Sequence, residues 1–175
     1  MNRKNTSFSF NLIILIFIIT FIAFPNEQEA KQLNKTPLDF TLKTLDGEEI
    51  CLKSYRGKKI VHLLFWATWC PHCLMEMPKL KQLYDLVGNK PYEILAIDVG
   101  LNDSPKRIRK IKEQYKIPCK ILLDKNAEIL KSCMVFGVPY HIIIDKEGII
   151  IDRFNKLPDD LTKFLNGLFP PKSCE

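Results

Sequence analysis

Four residues at the start of one segment carry the chemistry: Cys70-Pro71-His72-Cys73. They stand where an apolar run ends and a helical period begins. With Cys70 at the N-cap, Pro71 falls at the first helical position, where its missing N–H costs nothing. The Cys70 sulfur then faces unpaired backbone N–H groups and the positive end of the helix dipole, and both favour a thiolate over a thiol. His72 adds a donor or a positive charge beside it. Cys73, three residues on, is close enough to close a small ring with Cys70. This is the spacing of an exposed nucleophile at the lip and a buried resolving thiol. A zinc site would need a second pair at similar spacing, and the sequence has none, so no metal is expected.

The helix that positions this pair runs from Pro71 to Val87 in the periodicity. Cys73, Met77, Leu80, Leu83 or Tyr84, and Val87 share one face. Glu76 lies at the edge of that face. Partial burial would raise its pKa and let it exchange a proton with Cys73 during resolution. Pro78 falls inside the period and is expected to kink the helix.

The other elements read as follows. Asp39–Thr44 and Glu48–Leu52 form a hairpin about Asp46-Gly47. Lys59–Ala67 and Tyr92–Val99 are near-continuous apolar runs, suited to strands buried on both faces. Ser104 caps a helix that opens on Pro105 and runs to about Tyr115. Cys119–Leu123 is a strand and Lys125–Ser132 a short helix. Tyr140–Asp145 and Ile149–Asp152 pair about Lys146-Glu147-Gly148, and Asp159 or Asp160 caps a last helix to about Leu168. Helices alternating with strands that close in a hairpin imply an α/β domain: a mixed central sheet, helices on both faces and an N-terminal β-hairpin extension.

The motif string resembles that of the thioredoxin-like reductases of the TlpA/ResA/DsbE (CcmG) group. The matching residues are Phe65-Trp66-Ala67-Thr68-Trp69-Cys70 into the CxxC, Pro37-Leu38-Asp39-Phe40, the Asp46-Gly47 turn, Ser54-Tyr55-Arg56-Gly57-Lys58, Glu76, Pro78 and Val138-Pro139. The resemblance spans most of 37–168 and implies a thioredoxin fold. It also implies that Pro139 is a cis-proline packed on the disulfide and that Val138 docks substrate backbone, while Trp69, Pro71 and His72 tune the pair. Thioredoxin's buried aspartate is replaced by Leu64; the group it resembles also lacks that acid and uses the glutamate matched by Glu76. Pro71-His72 is also the inner pair of the oxidant DsbA, and a His beside the sulfur makes such a pair more oxidising.

The chain has 175 residues, 46% of them hydrophobic, enough for one domain with a core plus an appendage. The formal charge of +6 is a mild surplus. Its densest basic run, Lys106 to Lys112, interleaves Ile108 and Ile111 at helical spacing and reads as a solvated helix face. Nothing else supports nucleic-acid binding. Arg3 and Lys4 precede an apolar stretch from Leu12 to Phe24, so residues 1–25 read as a signal peptide or, preferred here, an uncleaved membrane anchor. Residues 26–36 read as a linker, 37–169 as the thioredoxin-like domain and 170–175 as a tail. Four cysteines lie outside the CxxC. Cys119 and Cys133 are paired as a structural disulfide at even odds against two buried free thiols, leaving Cys51 and Cys174. His62 reads as a structural histidine; His141, just after the proline loop, reads as a hydrogen-bonded structural histidine, with a place near the active site as the alternative.

The expected activity is extracytoplasmic thiol–disulfide exchange by a membrane-anchored protein, with no cofactor beyond the Cys70–Cys73 disulfide. By resemblance, the substrate class is exported protein disulfides such as those of apocytochrome c, and the electron donor is a membrane partner of the DsbD/CcdA kind. A DsbA-like oxidant, and a copper-site reductant or metal carrier using Cys70 and Cys73 as soft ligands, are the alternatives.

Overall fold

A computed structural model describes residues 38–169. The expected anchor or signal segment, the linker, Pro37, the tail and Cys174 lie outside the described residues. Seven strands form one mixed sheet: β1 (Thr41–Thr44), β2 (Glu49–Cys51), β3 (Ile60–Trp66), β4 (Tyr92–Asp98), β5 (Lys120–Leu123), β6 (Tyr140–Ile144) and β7 (Ile150–Phe154), in the order β2-β1-β5-β4-β3-β6-β7. Four helices accompany them: α1 (Pro71–Val87), α2 (Pro105–Tyr115), α3 (Glu128–Ser132) and α4 (Leu161–Leu168).

β3 is fully buried along its length and lies parallel to β4 and antiparallel to β6. Such a strand needs side chains that pack on both faces, and Ile60-Val61-His62-Leu63-Leu64-Phe65-Trp66 supplies them with one polar exception, His62. The N-terminal hairpin joins through β1, antiparallel to β5. The fold is thioredoxin-like, with this hairpin as its extension. The return strand β2 is shorter than its sequence suggests. Leu52–Tyr55 turns instead into a 3-10 helix, with Leu52 buried, and leads the chain back under β3.

α1 buries Cys73, Met77, Leu80, Leu83 and Val87, and leaves Tyr84 outside. It spans Pro78 without ending, and Gly88, at φ 51°, takes its C-cap. α2 is capped by Ser104 Oγ, which accepts from Arg107 N–H, and buries only Ile108, so its basic residues form an outer face. Arg109 is held there by Asp46 and Leu45 O. α4 is capped by Asp160. Among the described residues no helix is long and apolar enough to cross a membrane.

Of the two readings of Cys119 and Cys133, a disulfide or two buried free thiols, the structure shows the free thiols. Cys119 precedes β5, whereas Cys133 follows the helix beyond the strand's other end. The Cys133 carbonyl accepts from Arg153 Nη1 on β7, at the far edge of the sheet. Burial pushes their thiols up, to about 12 and about 11.

Candidate active site

Cys70 and Cys73 form a disulfide at the start of α1, with Cα atoms 5.3 Å apart. Cys70 is the N-cap, and its Sγ accepts from Cys73 N–H at 3.1 Å. This is the contact that would hold a thiolate once the disulfide opens. Val138 and Pro139 are joined by a cis peptide bond, and Val138 O lies 3.5 Å from Cys70 Sγ. The two sulfurs differ less in burial than their spacing suggests. Cys70 is 4% exposed and Cys73 1%. The Val138 carbonyl lies against the Cys70 sulfur, and an open groove adjoins them.

The loop before Cys70 is gripped from the β4–α2 connection. Asp103 accepts from Thr68 N–H at 2.7 Å and from the Thr68 hydroxyl, and Trp69 Nε1–H donates to Leu101 O. Gly100 lets the same connection pass close to the Asp124-Lys125 backbone that follows β5. At φ 69°, an added Cβ would fall 2.6 Å from Asp124 O. Asp98, at the end of β4, is buried beneath this loop. Its Oδ1 accepts from Gly100 N–H, while its Oδ2 meets no donor. Burial first, then the charge of Asp103, push its carboxyl up to about 7. Sequence reasoning missed Asp98 and Asp103; the available signal was a lone acid closing the apolar run Tyr92–Asp98.

Glu76 behaves differently from expectation. Its side chain is 11% exposed, and burial pushes its pKa up as anticipated. However, Oε2 takes a hydrogen bond from His141 Nε2 at 3.0 Å and Oε1 one from Leu157 N–H at 2.8 Å. These two hydrogen bonds, with the Lys79 charge beyond them, outweigh burial, and the carboxyl sits below its ordinary value. Glu76 is therefore a resident carboxylate, not a raised-pKa acid. His141, read from sequence as structural, is its partner. Sequence could not show this, because the contact joins α1 to β6 across 65 positions.

Beside the pair lies an open groove of about 940 Å³. His72, Glu76 and Lys79 form its α1 side, Met134, Phe136, Val138, Pro139 and Tyr140 the opposite side, and Asn155 and Lys156 its end. Among the described residues nothing covers Phe136, which is 96% exposed.

A disulfide at the N-cap of the helix after the central strand, a cis-proline against its sulfur and a groove alongside define a thioredoxin-fold thiol–disulfide oxidoreductase. The chain belongs to the AhpC/TSA family, which matches residues 33–153, and within it to the TlpA/ResA/DsbE group. It is 34% identical over 167 residues to thiol-disulfide oxidoreductase ResA of Geobacillus kaustophilus, covering 91% of this chain and 92% of that one. It is 30% identical over 175 residues to ResA of Bacillus thuringiensis, covering 95% and 99%. Among solved structures, the thioredoxin domain of a thiol-disulfide oxidoreductase from Bacteroides vulgatus matches with a TM-score of 0.68 at 24% identity, over 77% of this chain and 96% of that one. That likeness speaks for the fold.

Proposed function

We propose that this enzyme acts outside the cytoplasm as a reductant of disulfides in exported proteins, with an unfolded apocytochrome c as the substrate class. The observation that carries this reading is the groove. Met75, Met134, Phe136, Val138 and Tyr140 present apolar surface beside the redox pair. Exposed apolar side chains around an open cleft suit an extended, unfolded segment better than a folded surface. Lys79 and Lys156 at its margin favour neutral or acidic neighbours of the target cysteine.

In the reducing direction, the Cys70 thiolate attacks a substrate sulfur and releases the other as a thiolate. Cys73 loses its proton, attacks Cys70 and frees the second substrate thiol. The pair ends as the disulfide, two electrons poorer. A membrane donor of the DsbD/CcdA kind would restore it, and the apolar segment near the N-terminus would hold the enzyme at that membrane.

The oxidant reading has one observation in its favour, His72 at the mouth of the groove next to the pair. The copper reading rests on Cys70 and Cys73 alone; among the described residues, no cluster of three Cys, His, Asp or Glu side chains could hold a metal.

A Cys73→Ala variant tests the proposal, because it should strand mixed disulfides on Cys70. c-Type cytochromes or their assembly factors in the captured set support it, and their absence sinks it. A reduction potential near the DsbA value, about −120 mV, would transfer the enzyme to the oxidants.

A further inference from the structure

Glu76 is the groove end of a continuous buried chain of side chains. Its Oε2 meets His141 Nε2 at 3.0 Å, His141 Nδ1 meets His62 Nε2 at 2.8 Å, and His62 Nδ1 meets the Tyr92 hydroxyl at 3.0 Å. Four elements contribute one residue each: α1, β6, β3 and β4. His62 and His141 are completely buried and Tyr92 nearly so.

With both histidines neutral, one arrangement of protons satisfies every link. An ionised carboxylate only accepts, so His141 must donate from Nε2. A neutral His141 then accepts at Nδ1, so His62 must donate from Nε2. A neutral His62 accepts at its own Nδ1, so the Tyr92 hydroxyl must donate to it. Each link is fixed by the one before, from the groove to the far end of the sheet.

We propose that Tyr92 and His62 are positioning residues for thiol–disulfide exchange: by fixing the tautomer of His141, they keep a donor aimed at Glu76 and hold it as the carboxylate that receives the Cys73 proton. In the resolving step that proton leaves Cys73 Sγ for Glu76, one helical turn away. The Cys73 thiolate attacks Cys70 Sγ, and the substrate departs as a thiolate that the Glu76 proton, or water, then neutralises. Reversing the chain would leave the Tyr92 hydroxyl proton to find another acceptor, and that ring packs edge-on against Phe169.

The surroundings agree with a locked, uncharged interior. His62 lies among Tyr92, His141, Phe154 and Phe164, and burial, then His141, holds its pKa well below the usual histidine value. The Phe154 ring stacks on His141 at 4.9 Å. Charged groups adjoin the chain at both ends: Lys58, Lys59, Asp85, Lys90 and Glu93 share a surface pocket with Tyr92, and others gather at the groove. There Glu76 meets Leu157 N–H and Lys79, Lys79 in turn binds Asp159 and Leu157 O, and Lys156 and His72 line the opening.

The inference rests on Cys70 and Cys73 being the redox pair, not on which substrate they serve. Its first test needs no variant. Long-range proton–nitrogen NMR of the wild-type protein at neutral pH should find both His62 and His141 protonated on Nε2 and bare on Nδ1. Either ring protonated on Nδ1 instead overturns it. The second test is Tyr92→Phe, which keeps the ring and removes the fixed donor. The pH profile for resolving a mixed disulfide on Cys70 should move upward by about one unit, together with the Glu76 carboxyl carbon titration. An unmoved profile and titration in a folded Tyr92→Phe protein also overturn the proposal. The NMR test reads the chain directly, so it succeeds or fails whatever proteins the Cys73→Ala trap recovers.

Discussion

Glu76 stays charged in a place where burial alone would neutralise it, because two donors reach its two oxygens. Its folded-state pKa lies below the unfolded one. Its contribution to stability is therefore present above the ordinary carboxylate range and is lost as pH falls through it. Glu76→Gln keeps an acceptor for Leu157 N–H but loses the charge that His141 and Lys79 meet. It should cost about 1–2 kcal/mol at pH 7, with the gap to the wild type closing below about pH 4. Denaturant melts at the two pH values check this, and a gap that persists at low pH would contradict it. The same substitution should slow breakdown of mixed disulfides, as read by stopped-flow exchange with a model disulfide. Motif, periodicity and resemblance singled out Cys70, Cys73, Glu76 and Val138-Pro139 in the sequence, and the structure gathers them about the start of α1 and its groove. His141 was legible as a hydrogen-bonded histidine after the proline loop, with a place near the site as the alternative, but its partner was not. Its partnership is a tertiary contact, and one sequence has no signal for that.

The elements were the most legible level, and α1 shows why. Its start is marked by Cys70-Pro71, its buried face by residues three and four apart, and its end by Gly88. Leu80 is wholly buried on that face. Leu80→Ala should cost about 2–5 kcal/mol in chemical denaturation, the range for a cavity in a packed core; a loss below 1 kcal/mol would mean that face is not packed as described. The 3-10 turn at Leu52–Tyr55 was not legible. Leu52 continues the alternation begun at Ile50, and the turn shows only in the folded chain, where Leu52 is buried and the Ser54 hydroxyl donates back to Cys51 O.

At the end of β4, Asp98 is raised from an ordinary value of 3.8 to about 7. Its protonated form is the one the fold favours. That stability is present below about pH 4 and is lost as pH rises through 7. Asp98→Asn places an amide where Oδ2 lacks a donor. It should be more stable than the wild type at pH 8 by up to about 4 kcal/mol, and the advantage should shrink toward pH 4. Thermal melts across that interval decide it, and equal slopes for both proteins would contradict the assignment.

At the scale of the whole fold, burial sets two of the described thiols apart from the redox pair. Cys119 and Cys133 are sulfurs without chemistry: buried, unpaired and raised to about 12 and about 11. In the reduced protein at pH 8, iodoacetamide should label Cys70 within minutes and leave Cys119 and Cys133 unmodified until denaturant is added, as peptide mass spectrometry would show. Early labelling of either would contradict their burial. The α/β class, the mixed sheet and the hairpin extension were legible from the order of apolar runs. The pairing of the remaining cysteines was not, since spacing says nothing about which ends of the sheet they reach.

Everything at the site depends on the Cys70 sulfur being a ready anion at the start of α1. In reduced Cys73→Ser protein, with a hydroxyl in place of the second thiol, the pH dependence of Cys70 alkylation reads this directly. The account predicts a midpoint well below the free-cysteine value of about 8.5. A midpoint at or above that value would contradict it.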